Sequence, residues 1–204
     1  RKEPGLQLNI SVPDIEQVQA QMLTMKEKAP LVIQRAINNT IKQVSKDVGN
    51  EAKKVYVISQ TEVKKTLSTK KATKRDLTRI VSSSDDKKPR LYGFKVQPKS
   101  VIVNPADKPE VYAARIKKRV KEKQLTGNQE RSKAFVARMK SGHIGVFERM
   151  EGRKTSSGKE KLAELYAMSI PNMIKSREVA FEIQSKGQTY LQTQVQKEIR
   201  RVMG

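Results

Sequence analysis

Apolar residues recur every three or four positions along one long stretch of the chain. The set comprises Ile33, Ile37, Ile41, Val44, Val48, Ala52 and Val55. This spacing places them along one side of an α-helix of about 25 residues whose other sides are polar. A stripe this narrow predicts packing against a sheet or a second helix, and a free coiled coil is the alternative.

A second helical stripe occupies the C-terminal end of the sequence. Its members recur at near-regular four-residue spacing and are Val179, Ile183, Gly187, Leu191, Val195, Ile199 and Val202. We therefore predict a C-terminal helix over residues 172–203. Gly187 should weaken this helix by about 1 kcal/mol relative to alanine.

The N-terminal residues change from a two-residue to a helical period. Residues 6–12 (LQLNISV) alternate between apolar and polar positions, which predicts a short strand. Asp14 can then cap a helix that contains Ile15, Val18, Met22 and Met25. Pro30 either ends this helix or stands in the first turn of the next one. Residues 1–30 are thus expected to form a strand and helix extension.

A capping box follows the long helix. Ser59 and Glu62 lie three residues apart in the sequence SQTE, an arrangement that begins a helix by satisfying its first backbone N–H groups. Residues 31–67 are therefore predicted to hold the long helix and a short helix.

The middle of the chain predicts a β-rich core over residues 72–150. Short strands are expected at residues 76–84, 91–98 and 100–105. Residues 111–123 favour a strand, although a basic helix also fits them. Residues 152–161 (GRKTSSGKEK) are polar and are expected to form a flexible tip.

Residues 134–149 (AFVARMKSGHIGVFER) predict a tight hairpin with a structural role. Gly142 supplies the positive φ that such a turn needs. Gly145 suggests a bulge or a close approach by another backbone, and Phe147 belongs to the second strand. His143 is the only histidine, and the sequence shows no cysteine, nucleophile elbow, phosphate-binding glycine loop or paired carboxylates around which catalysis could be built. We therefore expect His143 to be a turn or interface residue. We also expect that the protein has no catalytic activity and that it binds no metal or cofactor.

Composition and charge indicate a basic protein of one domain. The 204 residues are 36% apolar and carry a formal net charge of +22. Residues 61–160 contain 27 Lys and Arg against 11 Asp and Glu. The positive electrostatic field of such a protein favours binding to a polyanion, to an acidic protein surface or to an anionic membrane. The alternative is that the lysines form a solvated surface without a partner. No apolar run reaches the roughly 18 residues of a membrane span, and the first residues do not resemble a signal peptide, so we expect a soluble protein.

Four segments, in order, resemble the phage minor tail protein Z family, the tail completion proteins of long-tailed phages. The hairpin sequence, a basic spacer and ELYAMSIPNMI resemble the signature of that family. RAINNTIKQVSKDVGNEAKKVYVISQTEVKKTL resembles its N-terminal helix, and KKATKRDLTRIVSS and LYGF stand where it has its first core strands. The resemblance covers roughly residues 30–175.

The resemblance implies a structural virion protein at the phage neck. Its copies would form a homo-oligomeric ring, expected to be a hexamer, that joins the tail tube or tail terminator to the head–tail connector around the DNA channel. It implies an α+β fold in which long N-terminal and C-terminal helices pack on a small, mostly antiparallel sheet. Assembly would take place in the host cytoplasm, without a membrane. The alternative is a basic nucleic-acid-binding protein without sequence specificity, although stacking aromatics are scarce.

A ring of this kind makes two basic clusters candidates for contact with the genomic DNA or with acidic partner proteins. They are Lys70, Lys71, Lys74 and Arg75 in KKATKR, and Lys117, Lys118 and Arg119 in IKKR. Phosphate contacts by such residues are independent of base sequence and weaken steeply with salt.

Overall fold

The computed structural model describes residues 7–10, 15–22, 27–84, 88–126 and 134–204. The chain is an α+β protein of helices and small antiparallel sheets, as predicted. The sequence predicted a single domain, whereas the chain divides into two compact units because each buries apolar side chains of its own. The first unit comprises Arg1–Lys54, Ser59–Asp86 and Ile170–Gly204, and the second comprises Val55–Ile58 and Lys87–Ser169.

Helix α2, Ala29–Val55, is the centre of the first unit. The predicted stripe is confirmed: every member from Ile33 to Ala52 is buried, and Val55 is half-buried. Pro30 lies in the first turn of α2. N–H groups in the first turn have no intrahelical acceptor, so the lack of an N–H in proline costs the helix no hydrogen bond.

Helix α5, Arg177–Met203, runs antiparallel to α2. Lys186 bonds Glu51, whereas Gln194, two turns later on α5, accepts from the earlier Asn39 of α2. Between these contacts Gly187 faces Val44, and a Cβ atom at Gly187 would lie at an ordinary contact distance of 3.5 Å from the Val44 side chain. None of the described helices is long and apolar enough to span a membrane.

The C-terminal helix differs from the prediction at its start. A short helix α4, Ile170–Lys175, precedes α5, and the two are separated at Ser176. Ser176 has an extended backbone (φ −55°, ψ 140°) that interrupts the helix. Its carbonyl accepts from the N–H groups of Val179 and Ala180, so α5 starts anew at this residue.

The first unit also holds a three-stranded antiparallel sheet. Strands β1 (Gln7–Ile10) and β2 (Leu67–Thr69) flank β3 (Arg79–Ser83). The predicted N-terminal strand is confirmed, and it is integrated into this sheet. Helix α1, Ile15–Gln21, follows it, while Asp14 and Met25 lie outside the described residues.

The capping box is confirmed at helix α3, Gln60–Lys65. The Glu62 N–H donates to Ser59 Oγ at 3.2 Å, and the Ser59 N–H donates to Glu62 Oε2 at 3.1 Å. Each of the two residues thus accepts a hydrogen bond from the backbone N–H of the other, and two N–H groups at the start of α3 gain an acceptor.

The second unit contains two further antiparallel sheets of three strands each. One consists of β4 (Lys95–Gln97), β5 (Ala113–Arg115) and β6 (Lys123–Gln124). The other consists of β7 (Phe135–Arg138), β8 (Ile144–Lys154) and β9 (Glu160–Glu164). The buried apolar residues of this unit include Phe94, Val96, Tyr112, Ala114, Val136 and Val146.

Three predictions for this unit need correction. Residues 100–105 form no strand: no described strand pairs with them, and Val103 is 87% exposed. Residues 111–123 form two short strands with a turn between them, because the ladder to β4 ends at Arg115. The β-rich core does not end at residue 150, since residues 152–161 belong to the β8–β9 hairpin, where Gly158 has a φ of +75°.

An ion pair with a buried carboxylate, that of Glu51, links the two long helices of the first unit. Lys186 Nζ lies 2.5 Å from Glu51 Oε1, and Lys54 Nζ lies 2.9 Å from the same oxygen. Burial by itself would raise the pKa of Glu51, but the hydrogen bonds and charges of the two lysines outweigh it and hold that pKa below its usual value. The Glu51 carboxylate correspondingly raises the pKa of Lys186.

Candidate functional site

The hairpin of β7 and β8 has the predicted turn. Phe135 pairs with Phe147, and Arg138 pairs with Ile144. The turn is closed by a bond from the Met139 N–H to the His143 carbonyl at 2.7 Å. Gly142 has a φ of +83°, a conformation that β-branched residues resist. Gly142 therefore has the positive φ that was predicted for this turn.

Gly145 permits a close approach, but by side chains and not by another backbone as predicted. A Cβ atom at this position would lie 2.7 Å from Glu164 Oε1 and 3.0 Å from two ring carbons of Phe147. No bulge occurs here, because the β7–β8 register is regular from Phe135 to Arg138. The space left by the missing side chain is used by the carboxylate of Glu164.

His143 belongs to a polar network on this sheet, which we call the Glu164 network. His143 Nε2 lies 2.8 Å from Glu164 Oε1, and the Tyr166 hydroxyl donates to Glu164 Oε2 at 3.2 Å. Arg90 Nε lies 3.7 Å from Oε1. The imidazole also meets the Phe147 ring edge-on, with 6.1 Å between centroids.

No pattern in the sequence predicts Glu164, Tyr166 and Arg90 as partners of His143. Glu164 is 21 residues from His143, and the β8–β9 register, which pairs Phe147 with Glu164, brings the two together. Tyr166 and Arg90 join through an isolated bridge between their backbones. Alternation predicts which residues share a face of a strand, but it does not predict which strand is adjacent.

The Glu164 network is suited to holding the sheet together. A histidine and carboxylate pair can orient a general base, but a catalytic base also needs a substrate group within reach. Here the carboxylate holds three side chains from three segments of the unit: the hairpin turn, the segment after β9 and residue 90. Within the described ranges, no three His, Cys, Asp or Glu side chains are grouped so that they could hold a metal ion.

The first basic cluster is presented on a loop that α2 holds in place. The Asn38 side chain accepts from the Ala72 N–H at 2.7 Å and donates to the Ala72 carbonyl at 3.2 Å. Gln34 donates to the same carbonyl at 3.2 Å. Thr73 and Asp76 then exchange backbone hydrogen bonds of 3.0 and 3.2 Å across a two-residue turn.

This anchoring directs the cluster outwards. Ala72 is buried, whereas the four basic residues around it are exposed: Lys70, Lys71, Lys74 and Arg75. Lys74 and Arg75 are the two residues at the tip of the turn. Because the backbone is fixed by Asn38 and Gln34, the cationic groups can contact a phosphate backbone or an acidic surface with less loss of loop entropy.

The second basic cluster lies on the turn after β5, in the second unit. The Val57 N–H donates to the Ile116 carbonyl and the Lys118 N–H donates to the Val55 carbonyl, both at 2.8 Å. Lys117 is half-buried, with its Nζ 5.7 Å from the centre of the Tyr56 ring. Lys118 and Arg119 are exposed. The cluster therefore offers two outward cations, while Lys117 packs on an aromatic side chain.

No protein-family model, curated protein or solved structure matches this chain.

Proposed function

We propose that this chain is a structural virion protein, the tail completion protein at the neck of a long-tailed phage. Copies of it form a ring that joins the tail tube and terminator to the head–tail connector, and the genomic DNA passes through the ring. The proposal starts from the resemblance of the hairpin and its flanking segments to the phage minor tail protein Z family.

The observation that carries the proposal is the pairing of the two long helices. The resemblance implies a long N-terminal and a long C-terminal helix packed beside a small antiparallel sheet. In the first unit α2 and α5, each of 27 residues, pack antiparallel, and the same unit holds the β1–β3–β2 sheet. The agreement supports the proposed class of protein because the resemblance predicted this combination of elements.

Exposed apolar side chains support assembly into a larger structure. Among the residues that the structure describes, seven large apolar side chains are more than about a third exposed: Val103, Val120, Leu162, Tyr166, Met168, Phe181 and Met203. Single exposed apolar residues are ordinary on protein surfaces, but residues clustered together are typical of interaction sites. Leu162, Tyr166 and Met168 lie close together in the sequence, in β9 and just after it.

Electron microscopy tests the proposal directly. Negative-stain images of the purified protein should show rings, and gold labelling of a tagged copy in phage particles should mark the junction of head and tail. Labelling absent from particles, or confined to another part of the virion, would contradict the proposed function.

A second candidate function is binding of nucleic acid without sequence specificity. The specific observation that favours it is the anchored loop at Ala72, which holds exposed cations around a tight turn. A protein that neutralises phosphates with such residues binds duplex DNA with a strong salt dependence, each contact contributing roughly 0.9 to the slope of log K against log salt.

Fluorescence anisotropy with duplex DNA distinguishes a direct contact between the Ala72 loop and DNA from attraction by the overall positive charge of the protein. The double variant Lys70→Ala/Lys74→Ala should lower the salt slope by up to about 2, the value for two lost phosphate contacts. Lys42→Ala/Lys46→Ala removes the same charge from exposed positions of α2 and is the matched control. Equal slopes for the two variants would show that the loop is not a contact. Sequence-selective binding that survives high salt would instead favour a dedicated nucleic-acid-binding protein.

A further inference from the structure

Strand β8 continues well beyond its pairing with β7. In the part of the chain that the structure describes, the β7–β8 ladder ends at Phe147, whereas β8 runs on to Lys154. Over this extension β8 pairs only with β9 among the described strands, and the pairing continues for four further residue pairs. Residues 148–162 therefore form a two-stranded ribbon, which we call the arm.

The outer half of the arm is exposed, but its end is ordered by hydrogen bonds. Every residue from Glu151 to Leu162 is exposed except Thr155, which is half-buried. The Thr155 N–H donates to the Lys159 carbonyl at 2.7 Å, and the Gly158 N–H donates to the Thr155 carbonyl at 3.0 Å. A two-stranded hairpin has little stability of its own, so these bonds help to hold the side chains of the tip in place.

The exposed end of the arm is basic. Residues 152–161 contain four Lys or Arg against one Asp or Glu, and Glu151 precedes them. The single carboxylate, that of Glu160, lies 3.8 Å from Arg149 and stands opposite Lys154 in the ladder. The remaining three cations form no ion pair with another described residue, and they are Arg153, Lys159 and Lys161.

The composition of the arm distinguishes between the classes of anionic partner. Interfaces between proteins have apolar and aromatic side chains at their centre, and residues 151–161 contain no large apolar or aromatic side chain. A polar surface with exposed cations is instead typical of interfaces with nucleic acid. Single strands bind by stacking on aromatic side chains, which residues 148–162 lack. Duplex DNA is therefore favoured, and its major groove is wide enough to admit a two-stranded ribbon.

We propose that the arm binds duplex DNA, with Arg153, Lys159 and Lys161 contacting backbone phosphates. The hydrogen-bonded tip lowers the entropy that is lost when these side chains are immobilised. Phosphate contacts carry no sequence information, so this binding is independent of base sequence. The inference goes beyond the proposed function, since a ring at the neck does not require this contact. It also concerns a different surface from the Ala72 loop, which belongs to the first unit.

The salt dependence of DNA binding by the full chain tests the contact. In fluorescence anisotropy with duplex DNA, Arg153→Ala/Lys159→Ala should lower the slope of log K against log salt by up to about 2, the value for two lost phosphate contacts. Lys42→Ala/Lys46→Ala removes the same charge from exposed positions of α2 and should lower the slope less. All four positions are exposed, so far-ultraviolet circular dichroism should be unchanged. Equal slopes for the two double variants would overturn the proposal.

A variant that adds charge tests the same contact by a gain in binding. Glu151→Lys places a further cation on the arm and should raise the slope by up to about 1, the value for one added phosphate contact. Glu110→Lys makes the same change of charge at another exposed position of the second unit and is the matched control. If Glu110→Lys raises the slope as much as Glu151→Lys does, the overall charge and not the arm attracts the DNA, and the proposal is wrong.

The absence of cysteine from the chain allows the contact to be located. Ser156→Cys places a single thiol at the tip of the arm, and Ser185→Cys places one at an exposed position of α5. Saturating duplex DNA should slow maleimide labelling of the first variant severalfold and of the second much less. Equal protection of the two thiols, or stronger protection of the tip by poly-glutamate than by DNA at equal charge, would contradict the proposal, and the latter result would indicate an acidic protein partner. Gold labelling of the phage neck tests the proposed function separately, so either inference can fail while the other stands.

Discussion

Replacement of Gly145 by alanine should destabilise the second unit, although alanine is normally the better residue in a strand. Gly145 does not have a positive φ, so an alanine there would not strain the backbone. The effect must come from contact: the new methyl group would lie 2.7 Å from Glu164 Oε1 and 3.0 Å from the Phe147 ring. One of these neighbours has to move.

The magnitude follows from what the Glu164 carboxylate holds. Its side chain is only 14% exposed and is bonded to His143 at 2.8 Å and to Tyr166 at 3.2 Å. Disrupting hydrogen bonds of a partly buried carboxylate costs about 1–3 kcal/mol. The lower entropy of the unfolded chain with alanine offsets this by up to about 1 kcal/mol. We expect a net loss of about 1–2 kcal/mol in the free energy of unfolding.

Urea unfolding followed by circular dichroism measures this loss, and a double-mutant cycle identifies its cause. In a Glu164→Ala background the loss caused by Gly145→Ala should fall by at least about 0.5 kcal/mol, a coupling expected of residues in contact. Gly93→Ala is the control, since a Cβ there meets nothing within 4 Å. An equal loss in both backgrounds would refute the contact with Glu164 as the cause.

Three further predictions concern the first unit. Gly187→Ala should raise the free energy of unfolding by about 1 kcal/mol, because the new Cβ meets Val44 at an ordinary 3.5 Å; a decrease in the melting temperature would contradict it. Ile41→Asp places an unpaired charge at a buried position and should cost several kcal/mol, so a variant that melts like the unaltered protein would show that the stripe is not core. Because the pKa of Glu51 is lowered in the folded protein, its contact with Lys186 stabilises the fold at neutral pH and is lost as the pH falls below about 4.5. Urea titrations at several pH values should therefore show Glu51→Gln to be less stable at pH 7, with the difference shrinking in acid, and a constant difference would contradict the linkage.

The sequence by itself determined the elements whose signals are local. Helix α2 was predicted from its apolar period, because burial of one side of a helix requires that spacing. The capping box at Ser59 and the turn at Gly142 were predicted for the same kind of reason, since each depends on residues only a few positions apart. The break at Ser176 was missed, although the apolar spacing changes there: Ile174 and Val179 are five residues apart, whereas the members of each helix are three or four apart.

Only the tertiary structure decided which segments meet. Residues 100–105 have the pattern of a strand, yet they form none, because a strand also needs a neighbour with which to pair. The bond between His143 and Glu164 depends on the register of β8 and β9, and a shift of one residue would turn Glu164 to the opposite face. The period of the sequence predicts which residues of one strand share a face. The pairing of strands decides which residues of other segments lie beside them, and that pairing is set by packing over the whole unit.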